Sequence, residues 1–229
     1  MKLNFKIDIE KDFENYYETL TASPKYGEDI DFLSKGIPEK IKKLIAGKTK
    51  QQAHDAVIPI LQKAYEKYQN HFKIFIKQVK EYWEFIGPNF IKRFERITNK
   101  KFKNDEIIVY LTTICKCPYD YEESWFMISF LTHPLYCCLI IAHELMHFHF
   151  FCNNFQEIKE KIGEEKAQDL KEALTVLLNI EFKDLFFFED KGYKGHKELR
   201  EFIAETWKKE KDYDKLLNKC VAFLKNNGN

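Results

Sequence analysis

The chain has 229 residues, 45% of them hydrophobic, and carries 37 lysines and arginines against 36 aspartates and glutamates, a net charge of +1. That content is ample for a core, and the charge balance, with no basic tract, excludes a nucleic-acid partner from the expectations. The start, Met1-Lys2-Leu3-Asn4-Phe5-Lys6, has no apolar signal core, no run is read as long enough to span a membrane, and the six cysteines lack paired C-x-x-C spacing. The expectation is therefore a cytoplasmic, reduced protein with no membrane partner and no disulfide framework.

No Gly-, Ser- or Pro-rich linker divides the sequence, so residues 1–229 are expected to form a single domain with three parts: a helical N-terminal part (1–104), a central part (105–180) and a helical C-terminal part (181–229). In the first part, apolar residues at three- and four-residue spacing around Ile58, Leu61, Tyr65, Phe72, Phe75 and Val79 predict a long amphipathic helix over 53–85. Gly87-Pro88 is expected to break it, with a further helix over 89–98. His54 and His71 lack matching acidic residues and read as surface or capping groups.

Residues 106–113 and 124–130 are β-branched and aromatic runs separated by Cys117-Pro118-Tyr119-Asp120, which reads as two strands and a connection in a small sheet. An exposed second strand would let an extended peptide add to it; an ordinary half-buried hairpin is the equal alternative.

After Pro134, a residue suited to the first turn of a helix, the run 135–142 is almost wholly apolar and leads into His143-Glu144-Leu145-Met146-His147. Histidines four apart on a helix project from one face and can grip the same ion. Glu144 sits about 100° round from His143, within reach of a metal-bound water, where it would act as general base. Two histidines and a glutamate inside an apolar helix would be expensive to bury without an ion or partners, which weighs against a chance match. A catalytic zinc needs a third protein ligand. Phe150 and Asn153 stand where a metzincin would have Gly and His, and His149 lies about 200° round from His147 on the helix. The helix predicted over 163–179 offers carboxylates: Glu172, followed by the apolar Ala173-Leu174-Thr175-Val176-Leu177-Leu178, is the first candidate, with Glu165 and Asp169 as alternatives.

This pattern resembles the gluzincin zinc peptidases, in which His-Glu-x-x-His on one helix is joined by a glutamate on the next. The resemblance implies His143, His147 and Glu172 as zinc ligands and Glu144 as general base. Lys171-Glu172-Ala173 through Leu177-Leu178 is also similar to the ligand helix of the ImmA/IrrE-like minimal peptidases, with Leu174 in place of their asparagine. Where thermolysin-like enzymes carry an Asp four residues after the ligand glutamate, this chain has Val176, so the group that orients a histidine ligand must come from elsewhere. The resemblance spans roughly residues 105 to 180. It implies an α+β, helix-rich, zincin-like fold with a small β-sheet packed on the active helix, and a peptide or protein as substrate. Gluzincins often stabilise the oxyanion with a downstream Tyr or His, and Gly192-Tyr193-Lys194-Gly195-His196 supplies Tyr193 and His196 as candidates.

The clustered Phe186-Phe187-Phe188 is expected in the core rather than in a substrate groove, and 198–226 reads as helices with Trp207, Leu216, Leu217, Val221 and Leu224 inward. The leading expectation is a zinc-dependent peptidase. The alternatives are a catalytically inactive metal-binding or protein-interaction scaffold and hydrolysis of a non-peptide amide or ester; manganese or iron would suit the same ligands.

Overall fold

Lys2-Leu3-Asn4-Phe5-Lys6-Ile7 alternates polar and apolar side chains and forms a strand, β1 (Lys2–Ile7), in a region read from sequence as helical. Asp8 then caps helix α1 (Ile9–Thr21), its Oδ1 accepting the N–H groups of Glu10 and Lys11 at 3.0 and 3.1 Å. The computed structural model describes residues 1–22 and 30–226. Further along the chain come α2 (Ile30–Leu33), α3 (Glu39–Ile45), α4 (Lys50–Thr98), β2 (Glu106–Thr112), β3 (Tyr119–Asp120), β4 (Trp125–Ser129) and α5 (Pro134–Phe150). A π-helical stretch, Phe151–Phe155, leads into α6 (Gln156–Ile162), α7 (Glu164–Leu174), α8 (Val176–Glu181), a 3₁₀ turn (Lys194–His196), α9 (Lys197–Glu210) and α10 (Tyr213–Asn226). The protein is thus α+β, helix-rich with one small mixed sheet.

The residues pack as two compact units, the first formed by 1–82 and 106–137, the second by 83–105 and 138–229. In the first unit the sheet runs β1-β2-β4-β3. The two strands expected at 106–113 and 124–130 do pair, but parallel; β1 is also parallel to β2, and only β3 is antiparallel to its neighbour. A parallel pair needs a crossover longer than a tight turn, and residues 113–124 provide it. β4 is not a bare edge: β3 pairs with Trp125 and Phe126, and the Pro118 carbonyl accepts the N–H of Met127 at 2.9 Å.

Helix α4 is continuous through Gly87-Pro88, where a break was expected. Proline removes one N–H from the ladder. The helix is held by its buried face, which includes Trp83, Phe90 and Phe94. Gly87 has a packing role instead, since a Cβ there would lie 2.5 Å from the Trp83 ring.

In the second unit Phe90 contacts Phe94 and Phe182, with ring centroids 5.8 and 4.9 Å apart, and Trp207 donates its indole N–H to Glu181 at 2.7 Å. Of the phenylalanine run, Phe186 is half-buried and packs near Phe90 while Phe187 is 85% exposed and Phe188 is also exposed, so the run does not form the expected core cluster. Leu216, Leu217 and Val221 are buried as expected, and Leu224 is half-buried. The helical stretch Pro134–Ile162 is long and apolar enough by composition to cross a membrane, contrary to the reading that no run reaches that length. Two-thirds of its most apolar window, 67%, is buried inside the protein, as in a core helix.

Among the described residues, the buried carboxylate of Asp12 in the first unit is held by neutral donors. Asp12, fully buried, accepts hydrogen bonds from the Thr112 hydroxyl (2.6 Å), the Thr113 hydroxyl (2.5 Å), the Thr113 N–H (3.0 Å) and the Tyr65 hydroxyl (2.6 Å). Burial pushes its pKa up, and these donors work in the opposite direction. The cluster pins α1 and α4 to the end of β2. Asp12→Ala is expected to strand several buried donors and destabilise the protein by about 3 kcal/mol. Urea unfolding checks this; a midpoint like that of the native chain would contradict the role assigned to Asp12.

Candidate metal centre

Because α5 is apolar on most of its surface, it is buried, and it carries Glu144 and His147 into the interior with His143 half-buried beside them. The two imidazoles sit one turn apart with centroids separated by 4.4 Å, and one ligand atom from each of the three residues lies within 4.8 Å of the others. This group could hold a metal ion.

Helix α7 brings Glu172 to the same place. Its Oε2 lies 3.5 Å from His143 Nε2 and 3.2 Å from His147 Nε2. Of the three carboxylates considered on α7, Glu172 is the one that meets the imidazoles: Glu165 is exposed, and Asp169 lies 3.0 Å from His196 Nε2. The expected single helix over 163–179 is divided at Thr175, between α7 and α8. The Thr175 hydroxyl oxygen lies 2.7 Å from the Glu172 carbonyl and 2.9 Å from Asp190 Oδ1, so its one proton serves either, and it accepts from Arg200 at 2.8 Å.

The group that orients His143 comes from a loop. Asp190 Oδ2 is 2.6 Å from His143 Nδ1, which leaves Nε2 as the atom facing Glu172. Asp190 is itself fixed on several sides. Arg200 makes an ion pair with its Oδ1 (2.9 Å) and donates to its carbonyl (2.6 Å). Asn179 donates to that carbonyl and accepts the Asp190 N–H, both at 2.8 Å. Gly192 makes room for this arrangement: it has φ of +60°, and a Cβ there would lie 2.6 Å from the Arg200 guanidinium. Sequence reasoning missed Asp190 and Arg200. The only local signal was the loop glycine, read there as a mark of the Tyr193 and His196 loop.

Burial and charge set the protonation states. Burial pushes the Glu144 carboxyl up to about 7, with Glu172 and Asp190 adding to the effect against His143 and Lys171. Its Oε2 is buried with no hydrogen-bond partner among the described residues. Burial takes His147 down to about 3, so that imidazole is neutral and has a lone pair to offer. For His143 burial works downward, but the Asp190 carboxylate overcomes it and holds the pKa well above the usual histidine value. Glu172 stays ionised: burial opposes its charge, and the imidazoles and Lys171 outweigh that. Asp190 is lowered to about 2, where burial is outweighed by His143 and Arg200.

The other candidates lie in the same unit but make different contacts. His196 is buried against Asp169, and the half-buried Tyr193 packs its ring 5.7 Å from that of His196. His149 faces Thr98 and the Lys100 carbonyl and is not part of the cluster. A cavity of about 630 Å³ among Lys92, Arg93, Arg96 and Lys100 includes none of the cluster residues. Comparison with family models, curated proteins and solved structures gives no match for this chain.

Two outcomes follow from this geometry. A cation needs the His143 Nε2 lone pair, and in the metal-free protein His143 keeps its proton above the ordinary range, so binding must release it. Apparent affinity for a divalent ion should therefore rise with pH through neutrality, and calorimetry in buffers of different ionisation enthalpy should detect the released proton; an affinity flat with pH would contradict the assignment. Asp190→Asn should weaken metal binding by about 10- to 100-fold with an unchanged circular dichroism spectrum.

Proposed function

We propose that this chain is a zinc-dependent peptidase of the gluzincin type, with a zincin-like fold, His143, His147 and Glu172 as metal ligands and Glu144 as general base. The observation that carries the reading is the convergence of His143 Nε2, His147 Nε2 and Glu172 Oε2, beside a buried Glu144 oxygen with no hydrogen-bond partner among the described residues. Two imidazole nitrogens, that of His143 once its proton is released, and one carboxylate oxygen are a zinc donor set, with Asp190 orienting the His143 ring and Thr175 bonding the Glu172 backbone carbonyl. Bound zinc would supply Lewis acidity toward a water and a carbonyl oxygen.

The chain's own groups would do the rest. Glu144, lifted to about 7 by burial, is matched to taking a proton from water near neutral pH and passing it to the leaving amine. Tyr193 is the proposed oxyanion donor. His196, whose Nε2 is engaged by Asp169, backs the Tyr193 ring and is a weaker candidate for direct contact with substrate. The proposed substrate is a peptide or protein.

The test is Glu144→Gln, which retains the shape of the side chain and removes its basicity. With a peptide library read by mass spectrometry, the native chain loaded with zinc should cleave, and the variant should lose about 10²- to 10⁴-fold in turnover while keeping its zinc. Equal cleavage by both forms would overturn the assignment of Glu144. No cleavage by either would overturn the peptidase reading.

A further inference from the structure

Lys171 immediately precedes Glu172 on α7, and its side chain is only 1% exposed. A buried ammonium is costly to desolvate and is retained where it is hydrogen-bonded and paired. Its Nζ lies 2.8 Å from Glu172 Oε1 and 5.4 Å from the centroid of Phe151, the residue that opens the π-helical stretch after the histidine helix. The two oxygens of Glu172 therefore face different partners. Oε2 is directed at both imidazoles, while Oε1 is engaged by Lys171.

Each carboxylate oxygen has two lone-pair directions, so the charge-assisted bond to Oε1 does not block that atom but competes with a cation for its electron density and favours ligation through Oε2 alone. We propose that Lys171 is a positioning residue that restricts Glu172 to one-oxygen ligation, keeping a coordination position of the metal open for water. The inference rests on the metal-centre reading above and adds to it a reason why a lysine is buried beside a ligand. Three protein ligands with an open position define a catalytic site, whereas a second carboxylate oxygen would fill that position.

The test uses the full chain loaded with cobalt(II), whose visible spectrum reports coordination number, and X-ray absorption fine structure of the zinc form. The native chain should show the intense bands of four-coordinate cobalt and one carboxylate oxygen at bonding distance. Lys171→Met should lose the intense bands as Glu172 becomes bidentate, and Lys171→Gln, whose amide still donates to Oε1, should keep them. A Lys171→Met spectrum identical to the native one would overturn the proposal while leaving the metal centre intact. If Lys171→Met does not fold, the native zinc form decides, since two carboxylate oxygens at bonding distance would overturn the proposal and one supports it. If the native chain takes up neither metal, the metal-centre reading fails, and the role of Lys171 fails with it.

Discussion

Three carboxylates, Glu144, Glu172 and Asp190, are all buried around two imidazoles in one dry region of the second unit. Like charges brought out of water repel strongly, and each isolated ion would lose several kcal/mol of solvation. Much of the local structure answers that constraint. Arg200 pairs with Asp190, Lys171 pairs with Glu172, and His143 stands between Asp190 and Glu172 with a contact to each. Glu144 is left with a raised pKa and one oxygen unsatisfied. Arg200, Lys171 and a protonated His143 already match these carboxylates in charge, so a divalent cation would enter by displacing the His143 proton, and the proposed zinc site rests on the convergence of its donor atoms rather than on a missing charge.

The same constraint explains local choices of fold. A helix break at Thr175 places a hydroxyl where it meets Glu172, Asp190 and Arg200 together. The left-handed Gly192 leaves room for the guanidinium beside Asp190. Short-range irregularities thus hold the side chains around the imidazoles, while the apolar body of α5 holds the imidazoles themselves. The Asp12 cluster shows the other solution to a buried carboxylate: four hydroxyl and amide donors in place of a cation.

How much could be read from sequence follows from how local each feature is. His143, Glu144 and His147 were legible because a helical period puts them on neighbouring positions of one turn. Glu172 was legible because a carboxylate followed by six mostly apolar residues must find a partner. Asp190 was not, because it lies in irregular chain and its role is defined by contacts to residues 10 to 47 positions away. The strand β1 carries its signal in the polar–apolar alternation of Lys2–Ile7, which the helical periodicity of the residues after it outweighed, and parallel pairing of β2 with β4 leaves no turn signature. The Gly87-Pro88 break failed because one missing N–H is outweighed by an apolar face that continues on both sides.

The central claim is that the two histidines and Glu172 hold one metal ion. Elemental analysis of the purified full chain, before and after reconstitution with zinc and beside Glu172→Ala, tests it most directly. Close to one zinc per native chain, with a sharp loss in the variant, is the expected result. No zinc in the native chain even after reconstitution would contradict the account.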